Sequence, residues 1–469
     1  MKIRNTLFLL SLTTLSMGWL CAAAQPIKVH PDNFRYFTDG SGKTIVLTGS
    51  HTWMRKQVKK QWVADGWDLQ KFSKYLDFLQ YWNHNYIRLW MWEQPGQTDI
   101  WLKGPDGKYD LDKLNPAYFD LVYSFVSAAR SRGIYVGVML FQGWSGTCEA
   151  SIKDWPTHPM NKLNNVNSVD GDPNQIGYGN KVHSLENPQI VRFQEAYVKK
   201  MVDVLNGFDN LIWEIGNETI ETSIPWKVHI VKLLRGYETL KPKQHLILDG
   251  TGNGVGNNSI RITDADIFSP CVVTKWGSLD DPYIGNPPIP ADSLHKPIVL
   301  DNDHLGNHFL RYTALNQRNW TFKSFTRGNH PIHMDSYDVY WDGANPTPDH
   351  PIKGVNTNPH YDPQRKSLGD VQRYVKMLDL LHMNPGSDSL TCSTTFYLAN
   401  PGKEYFAYQP SVTGGISLNL PAGQYETTCF DAADNSTNTF VFNWKGGIKK
   451  FNKPSHAGED WLLHLKAKK

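Results

Sequence analysis

The chain of 469 residues is short of most features that would announce a function at once. It has only five cysteines, in spacings that match no zinc pattern, so neither a disulfide scaffold nor a structural zinc site is expected. It carries no excess of either charge: 48 Lys and Arg stand against 45 Asp and Glu, spread along the chain, which points away from nucleic acid and anionic membranes. It contains no His-Glu-x-x-His and no Gly-x-Ser-x-Gly, so metallopeptidase and serine-hydrolase readings have no motif to rest on. No Gly-rich phosphate loop follows the first predicted strand, which weakens a doubly wound nucleotide-binding fold. Beyond the N-terminus no run reaches the ~20 apolar residues of a membrane-spanning helix.

The N-terminus itself reads as a targeting segment. Lys2 and Arg4 precede an uncharged, mostly apolar stretch from Leu7 to Leu20, and Ala22-Ala23-Ala24 supplies small residues for cleavage. A signal peptide over 1–24 is expected, leaving Gln25 first and the protein exported to the periplasm or beyond the cell. Cys21 leaves a lipid-anchored form open, although Gly18-Trp19-Leu20 is bulky where such sites want small residues. Four cysteines then remain, and two arrangements stay open: a Cys392–Cys429 disulfide inside one small domain, or four buried thiols.

What is present is a regular alternation of short apolar runs with helical patterns, the mark of a parallel α/β architecture. A hairpin over 34–38 and 44–48, turned by Asp39-Gly40-Ser41-Gly42, leads into a first strand at 45–49. Further strands are expected at 86–90, 135–141, 210–216, 245–249, 267–272, 297–301 and 331–335, making eight. Leu69, Phe72, Leu76 and Leu79 mark one helix face, and Asn115-Pro116 and Asn187-Pro188 place a capping side chain before a first-turn proline. Eight strands with helical crossovers fit a (β/α)8 TIM barrel over 25–383, closed by a helix over 368–381. The stretch 142–186, rich in Gly, Asn and Asp, is too long for a plain βα loop and is expected to cap the C-terminal face. Asn384-Pro385-Gly386 reads as a linker, and the short alternating strands over 386–469 as a small all-β sandwich.

The chemistry concentrates at the fourth strand, Leu211-Ile212-Trp213-Glu214-Ile215-Gly216-Asn217-Glu218. Strand parity turns Glu214 and Gly216 into the barrel and Trp213 and Ile215 toward the helices. Glu218 then emerges at the C-terminal rim beside Asn217. A carboxyl there, in an aromatic-lined cleft, is suited to protonate a leaving-group oxygen. As a bare tetrapeptide it reads equally well as a helix N-terminal Glu favoured by the dipole. Trp53, Trp90, Trp92, Trp144 and Trp276 fall at or just beyond predicted strand ends; five aromatics at one rim favour a carbohydrate cleft over simple packing. His51, Gln142, His304, His333 and Asp335 fall at the same rim.

These segments resemble the cellulase-like clan of retaining glycosidases (clan A). In that clan the Glu of the strand-four Asn-Glu pair is the acid/base, which the resemblance assigns to Glu218 beside Asn217. Tyr86-Ile87-Arg88-Leu89-Trp90 is similar to the clan's second strand, whose Arg supports the nucleophile. The segment Tyr36-Phe37-Thr38-Asp39-Gly40, followed by Leu47-Thr48-Gly49-Ser50-His51-Thr52-Trp53, resembles bacterial members of the clan that include relatives of the apiosidase family. Such members often end in a sandwich of the collagen-binding type. Leu398-Ala399-Asn400-Pro401-Gly402-Lys403-Glu404-Tyr405 and Leu418-Asn419-Leu420-Pro421-Ala422-Gly423 are similar to it. The likeness spans nearly all of the chain after the signal segment and speaks to fold and clan, not to substrate.

One departure from the pattern bears on mechanism. The clan's nucleophile is usually a Glu ending strand seven, and here the strand ends Asp301-Asn302-Asp303-His304. Alignment favours Asp303, with Asp301 as the alternative; a shorter carboxylate can serve either a retaining or an inverting reaction. The Asp-x-Asp spacing lacks the surroundings of a calcium loop, so no metal and no cofactor is expected. The resulting expectation is a secreted hydrolase of glycosidic bonds in a plant or host oligo- or polysaccharide. Its catalytic pair is Glu218 and Asp303, and His51, Trp53, Arg88, Trp90, Trp92, Gln142, Trp144, Asn217, Trp276, His304 and Asp335 contact the sugar. The competing reading is a glycan-binding protein on a barrel that has lost its nucleophile.

Overall fold

The computed structural model describes residues 25–468, apart from 53–54, 59–60, 65–66, 92–97, 144–153, 251–261, 271–286, 303–311, 336, 338–356, 358 and 411–412; at 55–58 and 61–64 it describes the backbone alone. Residues 1–24, where a signal peptide is expected, and Cys148, Cys271, Trp53, Trp92, Trp144, Trp276, Asp303 and His304 lie outside the described residues.

Eight parallel strands form one sheet: β1 Gly49–His51, β2 Tyr86–Trp90, β3 Tyr135–Gln142, β4 Leu211–Asn217, β5 Leu246–Gly250, β6 Ile267–Ser269, β7 Val299–Asn302 and β8 His330–Met334. Neighbours run in chain order from β1 to β6, and β8 joins β7 to β1. A parallel bridge between Phe268 and Ile298 closes β6 onto β7, with the Phe268 amide donating to the Pro297 carbonyl at 3.1 Å. The sheet is therefore a closed (β/α)8 barrel. Gly49 is required where β1 meets β2, because a Cβ there would lie 1.9 Å from the Tyr86 carbonyl oxygen.

Helices α1 Leu69–Tyr81, α2 Pro116–Arg130, α3 Pro188–Leu205 and α4 Ile224–Glu238 cover one side of the barrel. The Asp68, Asn115 and Asn187 side chains accept first-turn amide protons, satisfying donors the helices cannot pair themselves. The outward residues Trp213 and Ile215 of β4 join the helical residues in one large core. Inside the barrel, Tyr86, Ile212, Leu248, Ile267, Val299 and Ile332 form an apolar floor, with Ile27 and Phe37 packed against it. One pleat repeat further along, the inward positions are charged.

Two helices, α5 Ala314–Thr326 and α6 Asp362–Val375, carry the second domain. That domain is a six-stranded antiparallel sheet: β9 Asn384–Gly386, β10 Tyr397–Asn400, β11 Glu404–Gln409, β12 Ile416–Asp431, β13 Thr437–Phe451 and β14 Trp461–Ala467, in the order β9-β10-β11-β14-β12-β13. The long β12 contributes Ile416, Leu418 and Leu420 from one half and Tyr425 and Cys429 from the other to a single core, so the sheet folds over itself as a sandwich. Alternate residues Leu398, Phe406, Tyr408, Phe430 and Leu462 face the opposite way and share a core with Phe322, Phe325, Val371 and Tyr374 of α5 and α6.

Three local expectations are corrected. The first barrel strand is Gly49–His51 rather than 45–49, and the preceding hairpin reduces to Phe37–Thr38 pairing with Lys28–Val29, plus a bridge from Phe37 to Ile45. The last barrel helix starts at Asp362, six residues earlier than the apolar pattern suggested, with Pro363 fitting its first turn. Asn384-Pro385-Gly386 is the edge strand β9, where a residue without an amide proton is tolerated. Of the two arrangements left open for Cys392 and Cys429, the structure has the buried thiols, whose ionisation burial pushes up to about 12 and about 11.

The two domains are joined by a buried charge pair. Arg318 of α5 donates from Nε to both Asp460 oxygens at 3.0 and 3.2 Å, and from a terminal nitrogen at 2.6 Å, while Tyr408 donates to the same carboxylate at 2.8 Å. Removing Asp460 leaves the buried Arg318 only the exposed Glu459 carboxylate, 3.3 Å away, as a charge partner, which costs about 3 kcal/mol. Asp460→Ala is expected to lower the urea-derived unfolding free energy by that amount. The double variant Arg318→Met/Asp460→Leu, which removes both charges, is expected to recover most of it.

Candidate active site

At the C-terminal mouth, the inward positions one pleat above the apolar floor are Arg88 on β2, Glu214 on β4 and Asp301 on β7. Arg88 is only 5% exposed, so its guanidinium must be met by protein groups. Its Nε donates to Glu214 Oε2 at 2.9 Å, one terminal nitrogen donates to Glu214 Oε1, and the other donates to Asp301 Oδ2. The nitrogen that meets Glu214 also donates to Asn217 Oδ1 at 3.1 Å. Burial disfavours the charge on Arg88, but Glu214 and Asp301 more than restore it.

Asp301 is held from a second side. His51, at the end of β1, directs Nε2 at both Asp301 oxygens, 3.0 and 2.9 Å away. A carboxylate only accepts, so Nε2 carries the proton. Burial pushes the Asp301 carboxyl up, yet His51 and Arg88 outweigh it and hold the group at about 2. Asp301 keeps 15% of its side chain exposed at the mouth, whereas Glu214 is sealed below it.

Glu218 follows the last residue of β4 with φ of +48°, in the left-handed region. Arg88 fixes the Asn217 amide by taking its oxygen, and the amide nitrogen then points at Glu218 Oε1, 3.4 Å away. Gln142, fully buried at the end of β3, stands in register with Asn217. Trp90 is 8% exposed and stacks on His51, ring centres 5.3 Å apart, so it backs the imidazole.

Asp335 is buried rather than at the rim. Its carboxylate is bound by Arg365 of α6, from Nε at 2.8 Å and from a terminal nitrogen, and its amide donates to the His51 carbonyl at 2.7 Å. Burial works against its ionisation, and Arg365 beside it keeps the group below the ordinary Asp range. His333 is likewise buried, and burial pushes its imidazole down to about 3. The structure thus brings His51 and Arg88 onto Asp301 and links Arg88 through Asn217 to Glu218, while Asp335 stands behind His51. Glu214 is the site residue that the sequence placed inside the barrel without giving it a task. Its inward parity, opposite an inward Arg, was the available signal. Among the described residues, no group of three or more His, Cys, Asp or Glu is placed to hold a metal ion. No described helix is long and apolar enough to cross a membrane.

A closed barrel with an Arg-tied carboxylate cluster at its C-terminal mouth, followed by a β-sandwich, defines the architectural class. Within it, the chain is similar to the crystal structure of a glycoside hydrolase family 5 protein from Bacteroides vulgatus ATCC 8482. The TM-score is 0.64 at 13% identity, over 94% of this chain and 93% of that one. A second structure, described as a glycoside hydrolase, matches with a TM-score of 0.61 at 12% identity over 94% of this chain and 97% of that one. At such identities the likeness is one of fold, and it includes both domains. No protein-family model and no curated protein matches the sequence.

The Asp301 pairing carries a pH signature. Its folded pKa, about 2, lies below the ordinary Asp value of 3.8, so pairing stabilises the fold above roughly pH 4 and that contribution is lost as pH falls toward 2. The difference is worth about 2 kcal/mol. Asp301→Asn is expected to be less stable than the parent by that order near neutrality. The gap should narrow toward about pH 2.5, measured by urea unfolding at both ends.

Proposed function

We propose that the protein is an exported glycoside hydrolase acting on an oligo- or polysaccharide of plant or host origin, with Glu218 as acid/base and Asp301 as nucleophile. The observation that carries this reading is the Arg88 bridge: one guanidinium holds Asp301 while fixing the Asn217 amide beside Glu218. The clan resemblance gives the strand-two Arg the task of supporting the nucleophile, and the contact with Arg88 supports Asp301 over Asp303 in that role. Asp301 is ionised at neutral pH, as a nucleophile must be, and faces the mouth.

In the first step Asp301 Oδ attacks the anomeric carbon as the bond to the leaving oxygen breaks. Glu218 passes its proton to that oxygen, so the departing sugar leaves as an alcohol. In the second step Glu218, now a carboxylate, takes a proton from water. The water oxygen displaces Asp301 from the anomeric carbon, restoring both side chains and retaining the anomeric configuration. Arg88 and His51 stabilise the carboxylate both as attacking and as departing group. Glu214 keeps Arg88 in place and takes no part in bond exchange.

Two glycosides of one sugar, chosen by screening plant and host glycans, test these roles: a dinitrophenyl glycoside, whose leaving group needs no proton, and a phenyl glycoside, which needs one. Glu218→Gln is expected to lose about 10²–10⁴ in rate on the phenyl compound and far less on the dinitrophenyl compound. Asp301→Asn is expected to lose both activities, and Asp303→Asn to keep both. Loss in Asp303→Asn with a functional Asp301→Asn would move the nucleophile to Asp303. An unchanged rate in all three variants would place the catalytic groups elsewhere, and no turnover of any glycan by the parent would leave a glycan-binding protein. Proton NMR of the first-formed product reads retention directly.

A further inference from the structure

Glu218 occupies a backbone conformation that a glutamate rarely adopts. Its φ of +48° lies in the left-handed region, where a side chain crowds its own carbonyl, and Glu lacks the short polar side chain that makes Asn tolerable there. Such a residue persists only where its surroundings over-determine it. The surroundings here are backbone. Gly143, one residue beyond the end of β3, donates its amide proton to the Asn217 carbonyl at 2.6 Å, extending the β3–β4 ladder to the edge of the turn. A Cβ at Gly143 would lie 2.4 Å from the Glu218 carbonyl oxygen, 2.7 Å from Thr219 Cα and 2.9 Å from the Glu218 carbonyl carbon.

All three of those atoms belong to the main chain of the Glu218 turn, so no rotamer change can make room. Gly143 is not in the positive-φ group, so its own conformation does not call for glycine. What calls for it is the turn it touches. On the other side, a Cβ at Gly216 would meet the Thr219 methyl at 3.1 Å, so the turn sits between two positions without side chains.

We infer that Gly143 is a positioning residue for Glu218: its missing side chain lets the Glu218 turn adopt the left-handed conformation that aims the carboxyl at the leaving-group oxygen. This rests on Glu218 being the acid/base. Substitution at Gly143 therefore impairs proton delivery while leaving the nucleophile's surroundings, on β1, β2 and β7, untouched.

The test uses the same two glycosides on the full-length protein. Gly143→Ala is expected to lose about 10² in kcat/KM on the phenyl glycoside, as for an ångström-scale misplacement, and little on the dinitrophenyl glycoside. Gly207→Ala, at a position where a Cβ meets nothing within 4 Å, is the control and is expected to match the parent on both. Added to Glu218→Gln, the Gly143→Ala change is expected to cause no further loss on the phenyl glycoside, because both act on one proton transfer. Should Gly143→Ala fail to fold, Gly216→Ala presses the same turn from its other side. It is expected to show a smaller loss of the same selectivity, relieved by Thr219→Ser. Equal loss on both glycosides, full activity on both, or additivity with Glu218→Gln overturns the inference. Absence of leaving-group selectivity in Glu218→Gln itself overturns the acid/base reading instead.

Discussion

The mouth of this barrel is organised by one buried guanidinium. Arginine does not give up its proton to escape burial, so Arg88 imposes a demand for acceptors on every strand that surrounds it. Glu214 from β4 and Asp301 from β7 answer with charge, and Asn217 with an amide oxygen. Two carboxylates around one guanidinium leave the cluster with surplus negative charge, and His51 donates toward it from β1. Removing either carboxylate uncovers buried charge, so the cluster holds together as a unit. The two carboxylates differ in depth: Glu214 is sealed below, and Asp301 keeps part of its side chain exposed at the mouth.

Behind this cluster stands a second ion pair that never reaches the mouth. Arg365 binds Asp335, whose amide in turn holds the carbonyl of His51. The imidazole that faces Asp301 is thus aligned from α6. The same helix places Tyr374 against Phe406 and Phe430 of the sandwich, with its hydroxyl donating to Asn435 at 2.6 Å. A single helix therefore runs from the support of the site to the core shared with the second domain. The sandwich is thereby part of the scaffold on which the mouth is set.

Much of this was legible in the sequence because it depends on local rules. Two-residue parity turned Glu214 inward and Trp213 outward, and Asn-Pro pairs located the starts of α2 and α3. Where the governing contact is distant in sequence, local rules fail. Asp335 follows a strand as rim residues do, and only its pairing with Arg365, thirty residues on, buries it. The contacts that mark out Asp301 likewise come from Arg88 and His51, more than two hundred residues away. Gly143 looked like one of several glycines in a long loop, since nothing nearby in sequence reveals the turn it touches. The edge strand at Asn384-Pro385-Gly386 resembles a linker in composition and differs only in having a partner strand.

Among the described residues, β6 and β7 are joined by one bridge, Phe268 to Ile298, and β1 and β2 by one pair, Gly49 with Tyr86, while the strands from β2 to β5 share longer ladders. The barrel is thus a hoop with two thin joints, and β7 is one lip of the first. Arg88 reaches across the lumen to Asp301 on that lip, as a spoke ties a rim to its opposite side. The bond that holds the Asp301 carboxylate at the mouth also ties that lip to β2. A ligand that competes for Asp301 would therefore compete with a contact between two strands that do not pair with each other.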